Sequence, residues 1–393
     1  MSTEVELRVN GSVLRWARER LSASQAEALS LSGFSDEQIR AWESETAEPT
    51  YSQAISLSKK LQIPFGYLFL SETPSRPLPL PDLRTVSGEI PRLPSAGLLA
   101  VLDDAIRKQH WYSDTLREEG FEQKTFVGRF TLSDSTIKIA ADVRDVIGLD
   151  EQMRAESAPT VSAFMTELVR SSEHAGVIVL RSGTVCGNTH RSLSVEEFRG
   201  FALPEPFAPI IFINSKDAMV AQIFTWAHEM AHIWINQGGL SLLDLSRRSA
   251  DQANQIEIKC NEIAAEILVP AAGFTHNWDK SASAASNIAN LRRRYRVSEL
   301  VILRRAYDIA LIDDVQFEEG LRKYYQVPLA AKTRKDDIEK SGGNFYNNLY
   351  ARNSSLLTAS IAEGFSAGKV LATEACSLLG IKRGVLSKIV AAT

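Results

Sequence analysis

Two histidines and a glutamate in one short run have the spacing of a metal-binding helix. The run is Ala227-His228-Glu229-Met230-Ala231-His232. Residues four apart in a helix project from one face, so His228 and His232 can grip a single ion with Glu229 beside them. Catalytic zinc usually takes three protein ligands and leaves the fourth position for water. The run therefore predicts two metal ligands and a general base, and it requires a third ligand from another element.

A second helical run offers that third ligand. Glu257 and Asn261 lie four residues apart, so they share one helix face. We predict that Glu257 binds the metal and that Asn261 hydrogen-bonds a ligand imidazole to hold its orientation. One zinc ion per chain would polarise water and a peptide carbonyl, while Glu229 takes the water proton and delivers it to the leaving amine. The predicted chemistry is hydrolysis of a peptide bond.

The HExxH run also has two simpler interpretations, a solvated helix face and a structural zinc site. A bare HExxH pattern fixes only three positions, and it can be a solvated helix face. Here the flanks 224–227 and 233–235 are almost wholly apolar, which predicts a buried helix. Buried histidines and a buried glutamate need a partner, and a metal is the natural one. A structural zinc site would usually be closed by four protein ligands, and only three are found.

The composition is that of an ordinary soluble protein. A net charge of −4 argues against a molecule built as a whole for binding nucleic acid, although a local basic patch is compatible with it. The cysteines Cys186, Cys260 and Cys376 are odd in number and widely spaced, which indicates neither a disulfide framework nor a cysteine zinc site. The N-terminus is acidic and no long apolar run occurs, so we expect a cytoplasmic protein with no membrane partner.

Periodicity along the chain predicts an α+β protein that is mostly helical, with a small sheet. Helices are expected at 98–119 and 135–147, and strands at 126–132, 176–180 and 209–214. Five segments are predicted: a helix-turn-helix domain at 1–75, a proline-rich linker and helix at 76–125, the metal-site domain at 126–275, a second segment with helix-turn-helix spacing at 276–312, and a helical regulatory or docking domain at 313–393.

Several runs around the metal motif resemble the ImmA/IrrE family of metallopeptidases. They are Phe126-Val127-Gly128-Arg129-Phe130, Asn188-Thr189-His190-Arg191, Glu197-Phe198-Arg199-Gly200-Phe201, the HEMAH run, and the stretch 261–270. The resemblance covers residues 126–275 and implies a thermolysin-like zincin domain. It also implies that the substrate is a helix-turn-helix repressor, whose cleavage induces stress-response, mobile-element or phage-defence genes. We therefore expect a zinc endopeptidase of this kind.

The resemblance assigns roles to particular residues. It matches His228, His232 and Glu257 to the zinc ligands and Glu229 to the catalytic glutamate. It also places the strand that contains Ile211, Phe212 and Ile213 at the sheet edge that aligns the substrate backbone, a mode that binds through main-chain hydrogen bonds. Lys259-Cys260 departs from the commoner family pattern, and Cys260 is interpreted as a packing residue.

The residue that stabilises the oxyanion stays open among four candidates. Asn188, His190, Arg191 and His276 each carry a hydrogen-bond donor of the kind required. Each also has a plain interpretation as a core or surface polar residue.

The N-terminal helical runs resemble a helix-turn-helix domain of the Xre/Cro type, whose recognition helix reads the major groove of DNA. The expected recognition helix, 35–43, holds Asp36, Glu37 and Glu43 against Arg40. The acidic side chains of such a helix would repel the phosphates of DNA. We predict a domain that serves protein contacts, such as homodimerisation or docking onto a related repressor. The alternative is an Xre-type DNA-binding transcriptional regulator with an inactive or structural zinc domain.

A basic run lies in the second segment with helix-turn-helix spacing. Arg292, Arg293, Arg294 and Arg296 stand close to tyrosines, a combination that suits phosphate contact and base stacking. DNA or single-stranded nucleic acid is therefore a candidate activator of the peptidase. The competing interpretation is a solvated basic face.

Overall fold

The computed structural model describes residues 8–19, 34–61, 63–74, 94–150, 153, 159–241, 252–325 and 345–391. The fold is mostly helical with a small sheet, which confirms the predicted α+β class. The described residues up to 102 form one compact unit and those from 103 onward form another. Most of the prolines of the predicted linker, and residues 20–33 of the predicted helix-turn-helix domain, lie outside the described residues. Within the described part of the chain, no helix is both long and apolar enough to cross a membrane.

The described residues of the N-terminal unit form three short α-helices and one 3-10 helix. They are α1 (Gly11–Glu19), α2 (Asp36–Glu43), α3 (Tyr51–Lys60) and the 3-10 helix Phe65–Phe69. Ser35 and Thr50 begin α2 and α3 with capping boxes, in which Gln38 and Gln53 complete the reciprocal hydrogen bonds. The apolar faces of these helices meet in one small core.

The charged residues of α2, the candidate recognition helix, divide into two groups. Glu43 is buried, and its carboxylate accepts hydrogen bonds from Arg18 Nε at 2.5 Å and Arg18 Nη2 at 3.1 Å. Asp36, Glu37 and Arg40 are exposed. The exposed face of α2 thus presents two acids and one base, and its poor fit to phosphates stays a prediction.

The remaining helices are α4 (Ala96–Glu118), α5 (Thr136–Ile147), α6 (Val161–His174), α7 (Met219–Trp234), α8 (Gln252–Leu268), α9 (Ala271–Asn277), α10 (Ala284–Tyr295), α11 (Glu299–Asp308), α12 (Asp314–Tyr325), α13 (Phe345–Asn353), α14 (Ser355–Ser366), α15 (Ala372–Leu379) and α16 (Arg383–Val390). The boundary between the two units falls within α4. The helices predicted at 98–119 and 135–147 are confirmed as α4 and α5, and helices continue to the end of the described chain.

The C-terminal unit also contains a four-stranded sheet and a separate hairpin. The strands of the sheet are β1 (Ile178–Ser182), β4 (Gly200–Leu203), β5 (Ile210–Asn214) and β6 (Gly239–Ser241), and the hairpin pairs β2 (Thr184–Val185) with β3 (Asn188–Ser192). The order across the sheet is β1-β5-β4-β6. β1 runs parallel to β5, whereas β4 runs antiparallel to both β5 and β6.

The position predicted for the substrate-aligning strand is wrong. Ile211, Phe212 and Ile213 lie on β5, which pairs with β1 on one side and β4 on the other. A strand between two neighbours uses its main-chain groups in both ladders, so it has no open edge for a peptide. Its continuous apolar run is explained by this central position, since all five residues of β5 are buried.

The strand predicted at 126–132 is also wrong, because these residues form turns and loops. Gly128 has a left-handed φ of 67°. The N–H groups of Gly128 and Phe130 donate to the carbonyls of Ile233 and Trp234, at 3.0 and 3.1 Å. The last carbonyls of a helix have no partner within it. The segment therefore caps the C-terminus of α7 instead of joining the sheet.

The helix α7 lies at the centre of the C-terminal unit. Every side chain from Gln222 to Trp234 is buried, as its apolar flanks predict. It packs against β4 and β5 and, on another side, against α8. Helices α10 and α11 contribute Ile288 and Ile302 to the same apolar core. The second segment with helix-turn-helix spacing thus packs as part of the metal-site core.

The C-terminal helices are bonded to the rest of this unit. The ammonium of Lys108, on α4, is buried and donates to Asp104 Oδ2 at 2.6 Å and to Asn353 Oδ1 at 2.7 Å. The N–H of Ser355 donates to Glu173 Oε1, on α6, at 3.0 Å. Helix α13 packs against β1. The described C-terminal helices are therefore an integral part of the second unit.

Candidate metal centre

Three side chains converge between α7 and α8. The Nε2 atoms of His228 and His232 lie 3.0 Å apart. The carboxylate of Glu257 places Oε2 at 3.2 Å from His228 Nε2 and Oε1 at 3.2 Å from His232 Nε2. Atoms bound tetrahedrally to zinc at about 2.0–2.1 Å would lie roughly 3.3 Å apart. The spacing is close to that value, so this buried group could hold a metal ion.

The second ring nitrogen of each histidine also has a defined partner. His228 Nδ1 lies 3.0 Å from Asn261 Oδ1. His232 Nδ1 lies 2.5 Å from the backbone carbonyl oxygen of Gln237. Both partners are acceptors, so each Nδ1 carries the hydrogen and donates it. Each Nε2 is left with a lone pair that points at the centre of the group.

The donor set fits a metal ion. Burial lowers the pKa of His228, which favours its neutral, metal-binding form, whereas for His232 the effect of burial is outweighed by contacts with Cys260 and Glu257, which raise its pKa. Burial alone would raise the pKa of Glu257, but its contacts with His228 and His232 lower that pKa to about 2, so the carboxylate is ionised. With both imidazoles in the neutral, metal-binding form, two lone pairs and a carboxylate would face one another away from water, and a cation between them would relieve their repulsion. Two imidazoles and one carboxylate are a ligand set that catalytic zinc sites use.

Removing the amide of Asn261 tests its orienting role. We expect Asn261→Ala to weaken zinc binding by about 10–100-fold, because His228 loses the acceptor that fixes its tautomer and ring angle. Competition with a chromophoric chelator measures the affinity. Asn261→Asp keeps an acceptor at this position and serves as the matched control. Equal affinities for the alanine variant and the wild type would contradict the role.

Glu229 is buried beside the ligands and faces β4. A Cβ added at Gly200, the first residue of β4, would lie 2.7 Å from Glu229 Oε1 and 2.6 Å from Thr225 Cγ2. It would also lie 2.8 Å from the carbonyl oxygen of Phe212. No side chain fits at residue 200 without moving these atoms. The glycine therefore leaves the space that the carboxylate of Glu229 occupies.

The sequence predicts neither the role of Gln237 nor that of Gly200, although Gly200 belongs to one of the runs that carry the family resemblance. Gln237 contacts His232 through its backbone carbonyl, which every residue type carries, so its identity gives no signal. A glycine in a strand can signal a close approach of another group, but it does not say which group approaches.

The four oxyanion candidates lie on the surface hairpin and on α9. Asn188, His190 and Arg191 belong to β3, where Asn188 Oδ1 accepts a hydrogen bond from the His190 N–H at 3.0 Å. His190 and His276 are exposed. The contacts described for these four residues do not join any of them to the ligand group, so an oxyanion role for them stays a prediction.

Cys260 packs in the main core, one helical turn after Glu257. Its thiol lies against His232, and burial raises the pKa of the thiol above its usual value. The ligand atoms that converge come from the two histidines and Glu257. The packing interpretation of Cys260 agrees with this position.

The basic run is partly engaged in contacts within the fold. Arg292 forms an ion pair with Glu299 at 2.7 Å. The guanidinium of Arg296 lies 5.8 Å from the ring centroid of Phe164, and its backbone adopts a left-handed φ of 55° at the end of α10. Arg293 and Arg294 are exposed. The exposed basic surface is therefore smaller than the sequence run indicates.

A buried helix with two histidines and an adjacent glutamate, facing another glutamate on the next helix, is an arrangement typical of metallopeptidases, and His228, His232 and Glu257 could hold a metal ion. Residues 187–307 match the family model Peptidase_M78, described as IrrE N-terminal-like domain. The match supports a metallopeptidase of the ImmA/IrrE type, a family that is typically zinc-dependent. It spans β3 to α11 and includes the whole ligand group, whereas residues 126–186 lie outside it. The comparison with curated proteins gave no match.

Proposed function

We propose that this chain is a zinc-dependent endopeptidase that cleaves a helix-turn-helix transcriptional repressor and so induces a stress-response, mobile-element or phage-defence gene set. The observation that supports it best is the convergence of His228, His232 and Glu257 with Glu229 beside them. Three ligands leave one position open, and the fourth residue is a general base of the required kind. A purely structural zinc site has no use for Glu229.

In this proposal the chain's own residues orient the ligands and move one proton. Zinc, when bound, supplies a lowered pKa for its water and polarises the peptide carbonyl. Glu229 accepts the proton from that water and later donates it to the nitrogen of the leaving amine. Asn261 and the carbonyl of Gln237 hold both imidazoles in the tautomer that leaves Nε2 free to bind.

The choice of a repressor as substrate rests on the family resemblance and on the N-terminal unit. That unit has short capped helices in the order that resembles an Xre-type domain, and α2 exposes two acids. We propose that it serves protein contacts, either docking onto a repressor of related shape or homodimerisation. DNA or single-stranded nucleic acid is proposed as an activator that contacts the exposed Arg293 and Arg294.

The test is a cleavage assay with the natural candidate substrate. Purified wild type and Glu229→Gln are incubated with the helix-turn-helix protein encoded beside this gene, with and without duplex DNA and single-stranded DNA. We expect fragments of the repressor only with the wild type, and mass spectrometry identifies the cleaved bond. Equal cleavage by both enzymes would point to a contaminating protease and remove the basis of the proposal.

The space left by Gly200 is expected to matter for catalysis. Gly200→Ala should lower kcat by about 100-fold with little change in zinc content, because the added methyl displaces the carboxylate of Glu229 from its productive position. Gly364→Ala, on α14, is the control, since its Cβ would meet Val370 Cγ2 at 2.8 Å but not Glu229. Equal losses in the two variants would show a general effect of crowding the fold.

The alternative function is DNA binding by the N-terminal unit of an Xre-type regulator. We expect the full-length protein to show no tight, salt-sensitive binding to operator duplexes from its own gene region, because the exposed face of α2 carries Asp36 and Glu37. Fluorescence anisotropy at two salt concentrations measures this. Nanomolar binding that weakens steeply with salt would favour the alternative.

A further inference from the structure

Among the described residues, the sheet has two outer strands, and they differ in their relation to Glu229. β1 is separated from β4 by β5 and packs against α13. β6 lies directly beside β4, the strand whose Gly200 abuts the carboxylate of Glu229. An extended peptide that passes the general base would therefore lie along β4, on the side away from β5.

That side of β4 is already paired within this chain. β6 runs antiparallel to β4, with Ser241 opposite Gly200, Leu240 opposite Phe201, and Gly239 opposite Ala202. The main chain of Ser241 thus lies across from the residue that touches Glu229. β6 occupies the edge of β4 with which a peptide substrate would form main-chain hydrogen bonds.

Several features of β6 favour its displacement from the edge of β4. The described part of the strand is three residues long, and it forms three residue pairs with β4. The connection from α7 begins at Asn236, which has a left-handed φ of 52°, and continues through Gly238. Glycine permits large changes of backbone dihedrals at little steric cost. The chain can therefore swing at this connection without unfolding α7.

In this arrangement the proposed metal ligands and Glu229 are shielded from solvent. His228, Glu229 and His232 have no exposed surface, and Glu257 is 4% exposed. A polypeptide substrate must reach Glu229 and the ion beside it, so part of the surroundings must move. β6 is the described element that both pairs with β4 and connects to the end of the metal helix.

We propose that the outer edge of β4 is the docking strand for an extended polypeptide substrate and that β6 is a resident strand which the substrate displaces. This inference rests on the proposed peptidase function. The segment that docks is one that can replace Gly239-Leu240-Ser241: extended, with an apolar residue opposite Phe201 and a small residue opposite Gly200. Because the Gln237 carbonyl accepts a hydrogen bond from His232 just before β6 begins, displacement of β6 would also disturb the orientation of that proposed metal ligand.

Exchange can be measured without any cleavage. Full-length, zinc-loaded Glu229→Gln is mixed with an excess of the capped peptide Asn-Gln-Gly-Gly-Leu-Ser, which copies residues 236–241, or with a scrambled peptide. Hydrogen–deuterium exchange is then followed in both strands. We expect the amides of β6 to exchange at least 10-fold faster with the copied peptide alone, while those of β4 keep their protection. Unchanged or greater protection of β6 overturns the proposal.

A variant that weakens β6 provides the second measurement. Leu240→Pro removes a main-chain N–H and disfavours the strand. We therefore expect this variant to bind a labelled form of the copied peptide at least 10-fold more tightly than the wild type does. Leu240→Val keeps the N–H and is the matched control. Circular dichroism and zinc content report whether the proline variant is folded. Peptide affinity that is equal in a folded proline variant and the valine variant overturns the proposal.

The same variants separate this inference from the proposed function. With an otherwise wild-type site, Leu240→Pro should cleave the repressor faster than Leu240→Val. If neither protein cleaves it, the peptidase proposal fails, while the exchange and affinity measurements still decide whether β6 leaves β4. If both cleave it at the same rate, β6 displacement is no barrier and this inference is wrong.

Discussion

Glu229→Gln is expected to reduce hydrolysis of the proposed repressor substrate by about 10³-fold, because glutamine cannot accept the proton of the attacking water. The two side chains have nearly the same shape, so the crowded contact with Gly200 and the packing of α7 should persist. Zinc content should stay at about one ion per chain, since Glu229 is not among the ligand atoms that converge. Single-turnover cleavage and metal analysis of the same preparation measure both quantities.

The control for this substitution is Glu262→Gln. Glu262 lies on α8 and is exposed, so the same change of charge is made outside the ligand group. It should leave cleavage near the wild-type rate. If Glu229→Gln retained more than a tenth of the wild-type activity, another group would have to supply the base. If it lost its zinc, the defect would lie in the metal site and not in proton transfer.

Glu257→Gln is expected to weaken zinc binding more than about 100-fold, beyond the loss for an orienting residue, because an anionic ligand is replaced by a neutral amide. Cleavage should fall together with the metal. The control is again Glu262→Gln, on the same helix. Retention of zinc by Glu257→Gln would mean that the ion is held by other groups, and the ligand assignment would be wrong.

Chelation of the wild-type protein provides an independent measurement of the same site. An ion that binds only the folded state stabilises it by about 4 kcal/mol when it is present at roughly 1,000 times its Kd. Removal of zinc should therefore lower the Tm of the wild type by several degrees. Glu257→Gln should show little further decrease. If the chelator lowered the Tm of both proteins equally, it would be acting elsewhere than on this metal site.

The apolar patterns predicted some elements well and others badly. The metal helix was predictable since both its flanks and its spacing are strong local signals, and so were α4 and α5. The strand prediction for 126–132 failed because the main-chain N–H groups of this segment cap α7, and a cap depends on a partner about a hundred residues away. Periodicity within a short window carries no information on such a partner.

The sequence by itself determined which side chains form the candidate metal centre, through the residue types and four-residue spacings of His228, His232, Glu257 and Asn261. These spacings place side chains on one face of a helix whatever the rest of the fold does. Only the tertiary structure decided which strand lies beside Glu229, that β5 is central, and that β6 pairs with β4. Strand order depends on contacts between distant segments, and so do the space at Gly200 and the carbonyl of Gln237 beside His232. No local pattern encodes them.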